Sequence, residues 1–379
     1  LLLMTALCVS ACLKPFSPEI GEDAALKYVV YGQLTGVEGF QKVTVSRTSP
    51  LASPAFLPVK GCKVQILDNE NQVYELEEVK PGEYQVWMDS ASQSAGKEFR
   101  VIVKKENTIH ITSGFDKMPV TEGLDSLYYE IETRSVPQNG KEQTGLQFYL
   151  DFHAPDSFCR NFRWIVTETW EYHAEYPLEW YYDGRVRHVV PPDESRRICW
   201  YTRCLPDIFT LSTHMLSENR YRRYPLFWAT HGTGRFKIRY SLLVEQFGLS
   251  DAAYAYWEDL RRNMGQEGGL YEKQPLAVKG NLTDMLNPEQ DVLGFFAATS
   301  LKTKRIFLKN IQGLMPDTST SCSEMLIMGG FEVFSPADFP VYLKGDEYGF
   351  QMTELSPSCV DCTRDGGTTQ KPDFWPDAK

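Results

Sequence analysis

The sequence predicts a mainly β protein, with an N-terminal immunoglobulin- or transthyretin-like β-sandwich followed by a larger β-rich domain that carries a helical insertion. Three observations lead there. Apolar residues recur with a period of two in short runs separated by turn-forming clusters, the pattern of half-buried strands. One stretch, residues 251–264, instead places its apolar residues at helical spacing. The chain also holds 21 Phe, 20 Tyr and 8 Trp, a load of rings that favours strands and exceeds what a core needs. A length of 379 residues suits two or three domains.

Residues 1–11, LLLMTALCVSA, form an apolar run too short for a bilayer, which takes about 20 such residues. They read as a truncated secretory signal. Val9-Ser10-Ala11-Cys12 fits the bacterial lipoprotein pattern, in which small residues admit the chain to the peptidase and the cysteine thiol carries the lipid. Cys12 is therefore the expected lipidation site. Residues 12–26 carry two prolines and three acids without an apolar period, and read as a tether to the lipid. Fully extended, residues 13–26 would reach about 45–50 Å.

Residues 27–118 hold seven alternating runs: YVVYGQL, KVTVSR, CKVQIL, QVYELEEV, EYQVWM, EFRVIVKK and TIHITS. Turn formers such as Asp68-Asn69-Glu70-Asn71 and Pro81-Gly82 separate them. That many short strands without a helix predicts a small sandwich. Residues 119–379 form the second expected domain. LDSLYYEIETRS and TGLQFYLDFHAP alternate, and residues 162–172 follow as a long strand. One face of it carries Phe162, Trp164, Val166, Trp170 and Tyr172, with Glu168 as the exception. The other carries Arg163, Thr167, Thr169 and Glu171, with Ile165 as the exception. Ser250 is placed to cap a helix near 250–265, whose stripe is Ala253, Tyr256, Trp257, Leu260 and Met264. Residues 270–308 mix short apolar runs with loops, and the tail beyond Pro357 is rich in Cys, Gly, Thr and Pro.

A formal charge of -11 argues against nucleic-acid binding, which needs clustered Lys and Arg. For an exported chain, Cys159, Cys199, Cys204, Cys322, Cys359 and Cys362 are expected to form three disulfides of open connectivity, with Cys62 a buried free thiol. The spacings of Cys199/Cys204 and Cys359/Cys362 would also suit zinc, but oxidation is the expected fate of exported thiols, and no cofactor is expected. The histidines show no HExxH, no GxSxG is present, and His231-Gly232-Thr233-Gly234 lacks the lysine of a phosphate-binding loop and reads as a turn.

Trp180, Tyr181 and Tyr182 lie between Pro177 and Asp183-Gly184, where the chain is expected to turn and expose them. With Arg220, Arg222 and Tyr224 they are interface candidates, since Tyr, Trp and Arg dominate buried contacts between proteins. Core packing and sugar stacking are the competing readings. Acids nearby, among them Glu171, Glu175 and Glu179, keep a glycan-active enzyme as a distant alternative.

CLKPFSPEI, YSLLVEQFGLSDAAYAYWEDLRRN, GGLYEKQPLAVKGNL and CVDCTRDGGTTQKPDFWP together resemble the Bacteroidota lipoproteins grouped as domain of unknown function 4249, from Cys12 to about Pro376. The resemblance implies a lipid-anchored outer-membrane protein at the cell surface, often encoded beside TonB-dependent receptors. It brings no catalytic residue. The expected role is that of a non-catalytic accessory to such a transporter in nutrient capture or uptake. The alternative is an adhesion or envelope-assembly protein.

Overall fold

The computed structural model describes residues 26–50, 53–106, 108–135, 142–264, 278–315, 322–345, 352–364 and 366–377. The seven expected N-terminal strands are all present: Tyr28–Leu34, Gly39–Arg47, Lys63–Asp68, Val73–Lys80, Glu83–Met88, Glu98–Lys105 and Thr108–Ser113. Val73–Lys80 pairs through its first half with Lys63–Asp68 and through its second with Glu83–Met88, and so passes from one layer to the other. The inward positions of the period-two pattern meet in a core of Val30, Val43, Val45, Val64, Ile66 and Phe99.

This sandwich is not confined to 27–118. Leu293–Ala298 runs parallel to Tyr28–Leu34, and Leu282–Asp284 extends the other layer beside Thr108–Ser113. The first domain thus borrows two strands from the segment assigned to the second, and the boundary expected after residue 118 does not isolate it. The reason is burial on both faces: Phe296 and Ala298 enter the sandwich core, while Phe295 and Ala297 pack towards the helix. A strand covered on both sides has no alternation to reveal it. The close approach depends on Gly294, whose φ is +96° and where a Cβ would lie 2.0 Å from the Val30 carbonyl oxygen.

A second sandwich follows. Ser126–Ser135, Glu142–His153 and Arg220–Thr230 form one sheet, and Asn161–His173 is the centre of the other, between Ile198–Cys204 and Tyr240–Gly248, with Ser300–Leu308 beyond. Leu146, Phe148, Leu150 and Phe152 face Phe162, Trp164, Val166, Leu242 and Val244. The helix Asp251–Met264 lies between the two sandwiches, against Asn161–His173 and Leu293–Ala298. Ser250 Oγ accepts from the Ala253 amide at 3.1 Å, as the capping residue should. Ile165, the apolar exception on its strand face, packs here beside Tyr256 and Trp257. Met264, placed on the buried stripe from sequence, is instead exposed at the helix end.

A third, smaller sheet orders Val186–Asp193, Leu178–Tyr182, Val341–Gly345, Met352–Leu355 and Glu324–Leu326.

Candidate functional site

The aromatic triplet does not form a turn. Trp180, Tyr181 and Tyr182 belong to Leu178–Tyr182, an inner strand of the third sheet, and all three are half-buried. Alternation sends Tyr181 to one face, into a small core with Tyr342, Leu355 and Val360. Trp180 stacks on His188 at 3.7 Å, and Tyr182 packs with Phe331 at 5.0 Å and Phe339 at 5.3 Å. Truncating Trp180 and Tyr181 therefore removes packing as well as surface. The segment 325–334 packs on Tyr182 through Phe331 and Phe334, and along it Met325, Leu326, Met328 and Val333 are exposed.

The second patch also divides. Arg220 and Arg222 are exposed and share a hollow of about 310 Å³ with Asp125, Asp151 and His153. Tyr224 is not a surface ring. It lies 4.6 Å from Trp164 and donates its hydroxyl to the Thr210 carbonyl at 3.2 Å. Burial pushes that hydroxyl up to about 12. The aromatic triplet and the arginines lie on different sheets and do not form one site.

Cys199 bonds Cys362 and Cys322 bonds Cys359, two of the three bridges expected. Cys159 and Cys204 stay free, as does Cys62, so the third bridge is absent among the described residues. Strand geometry explains Cys204. An odd separation on one strand turns Cys199 inward and Cys204 out to solvent. Cys359 and Cys362 bond to different partners, which removes both the zinc and the dithiol readings of their spacing. Peptide mapping of unfolded, unreduced protein should give linked peptides for 199–362 and 322–359 and alkylated Cys62, Cys159 and Cys204. A 159–204 crosslink would contradict this arrangement.

One hollow of about 450 Å³ between the sandwiches brings together Cys159, His214 and Asp251, the residue types of a nucleophilic triad. The His214 Nε2 to Asp251 Oδ1 distance is 3.3 Å. The thiol, however, donates to the carbonyls of Asn161 at 3.0 Å and Leu249 at 3.3 Å, and burial pushes its pKa up. Burial favours the neutral thiol over the reactive thiolate. Cys159 is set as a packed hydrogen-bond donor.

Glu168, flagged as the exception on its apolar strand face, is fully buried. It accepts from Arg203 Nε at 2.8 Å, Arg235 Nη1 at 3.1 Å and the Tyr240 hydroxyl at 2.9 Å. Its neighbours come from distant segments, and nothing in their local sequence announces them.

Cys12 and the tether up to residue 25 lie outside the described residues. Among the described residues no helix is long and apolar enough to cross a membrane, and no group of three or more His, Cys, Asp or Glu could hold a metal. No curated protein is similar enough to match the chain. Among solved structures, trypsin-activated alpha-2-macroglobulin from Escherichia coli shows 11% identity and a TM-score of 0.18, over 60% of this chain and 15% of that one, too little to show a shared fold. Three of the four sequence blocks singled out above fall, from Leu13 onward, within a family model that matches residues 13–305, CVDCTRDGGTTQKPDFWP lying beyond it, and the chain belongs to that family, described as Domain of unknown function (DUF4249).

Proposed function

We propose that this protein is a non-catalytic lipoprotein of the Bacteroidota outer membrane, anchored through Cys12 at the cell surface, that serves a TonB-dependent transporter in nutrient capture or uptake. The observation that carries this reading is Val9-Ser10-Ala11-Cys12, a lipoprotein-type signal set immediately before a family match that starts at residue 13. Two disulfides support an exported location, because cytosolic thiols are kept reduced. Exposed apolar side chains along the segment 325–334 support a protein-binding role, since exposed apolar surface marks interaction sites.

Fractionation and co-purification test the two halves. The wild-type protein should sediment with membranes, because several acyl chains at about 0.8 kcal/mol per buried CH₂ give stable attachment. Cys12→Ser should be soluble or unprocessed. If it is processed normally and survives detergent-free washes in the membrane, the anchor reading fails. The wild-type protein should also bring down an outer-membrane barrel at one-to-one stoichiometry. Met328→Ser with Val333→Ser should reduce that yield at unchanged melting temperature, since exposed substitutions typically shift stability by less than about 0.5 kcal/mol. An adhesion protein would keep the anchor and bring down no barrel.

A further inference from the structure

A cleft of about 640 Å³ opens in the second sandwich where Arg220–Thr230 approaches the loop after Ile198–Cys204. Its lining includes Arg134, Gln147, Arg203, Asp207, Phe227 and Trp228. The wall is irregular because the ladder between Glu142–His153 and Arg220–Thr230 shifts register between Gln147 and Tyr149, an interruption that re-aims side chains and recurs beside functional sites.

The two arginines are held from behind. Arg134 gives Nε and Nη2 to Glu132, at 3.1 and 2.7 Å, and Nη2 also to Gln147 Oε1 at 2.7 Å. Gln147 is only 3% exposed, and its amide nitrogen is taken by the Phe148 carbonyl at 2.9 Å. Arg203 gives Nε and Nη2 to the buried Glu168. Each guanidinium is thus fixed through one edge and keeps Nη1 without a hydrogen bond among the described residues, while its side chain stays about half exposed, at 45% and 52%. The guanidinium of Arg134 also lies 5.3 Å from the centre of the Trp228 ring. Trp228 Nε1 is buried and has no hydrogen-bond acceptor among the described residues.

The cleft therefore offers two guanidinium edges that want acceptors, and they are pre-positioned, so little ordering remains when a ligand arrives. We propose that it binds a small solute bearing an oxyanion, a carboxylate or a phosphate, through the free edges of Arg134 and Arg203. Charge-assisted bonds from a guanidinium to such oxygens are among the strongest polar contacts available. Asp207, exposed and without an ion-pair partner among the described residues, is the one acid among the described residues of the lining and opposes the anion. This deepens the capture role proposed above and rests on it only for where the ligand comes from.

The test is calorimetric titration of the purified protein with citrate, inorganic phosphate and glucose, separately. Citrate or phosphate should bind with an affinity that falls as sodium chloride is added. Arg134→Gln should weaken binding about tenfold. Asp207→Asn should tighten it about threefold, and this exposed substitution leaves the fold alone. Binding of citrate alone identifies a carboxylate source and of phosphate alone a phosphate source. Absence of heat from both at millimolar concentration, or salt-insensitive binding of glucose, overturns the proposal. Because the protein is titrated alone, failure here leaves receptor co-purification standing, and failure of co-purification leaves the binding result standing.

Discussion

Glu168→Gln should destabilise the second sandwich by about 3–5 kcal/mol, the usual result of removing one partner from a buried ionic cluster. The carboxylate is fully buried and serves two arginines, of which Arg203 is 52% exposed and Arg235 only 15%. With the charge gone, Arg203 can swing into water, but Arg235 cannot without disturbing its stack near Trp170, so most of the cost falls on Arg235. Thermal denaturation should show Tm lower by something on the order of 10 °C. Replacing both charges, Glu168→Leu with Arg235→Met, should recover part of that loss, because the desolvation penalty then disappears with the interaction. A Glu168→Gln protein as stable as wild type would show that the cluster is not a keystone.

The same cluster gives a pH dependence. Burial, reinforced by the Glu168 carboxylate, holds the Tyr240 hydroxyl well above its ordinary value near 10. Its folded pKa is raised, so the stability it lends is fully present below about pH 10 and is lost as pH climbs above that, where the unfolded chain ionises first. Glu168→Gln removes the anionic part of the shift, so the alkaline loss should be shallower in the variant.

Legibility in the sequence followed distance along the chain. Phe99, Val101 and Val103 could be assigned inward because alternation is local, and each is buried. Ser250 could be assigned as a cap because its partner is three residues away. Leu293–Ala298 could not be placed, since its parallel partner lies more than 250 residues earlier and its continuous apolar run carries no face preference. Glu168 stood out as a lone acid on an apolar face, but Arg203 and Arg235 were indistinguishable from any surface arginine. Trp180 to Tyr182 misled for a related reason. Pro177 and Asp183-Gly184 do bracket a short element, but that element is a strand whose covering neighbour, Val341–Gly345, is remote.

Removing the Cys199–Cys362 bridge, with Cys199→Ala and Cys362→Ala, should be the other large effect. The bond spans 163 residues, and closing a loop of that size restricts the unfolded chain by about 5 kcal/mol in the chain-entropy account. Both cysteines are fully buried, so the paired alanines also leave a small void. Against this stand the contacts that hold the same junction without sulfur. Tyr201 donates to the Cys362 carbonyl at 2.6 Å, Trp200 exchanges backbone hydrogen bonds with Thr368, and Arg196 pairs with Asp361 at 2.9 Å. These should keep the tail docked in the native state while the barrier to its release falls. The expected result is therefore a lower unfolding temperature together with earlier proteolytic cleavage within residues 363–377. Cys204→Ala, at an exposed and unbridged position, should leave both unchanged. If the double variant resists protease as well as the wild type does, the Tyr201, Trp200 and Arg196 contacts hold the tail and the sulfur bridge is dispensable.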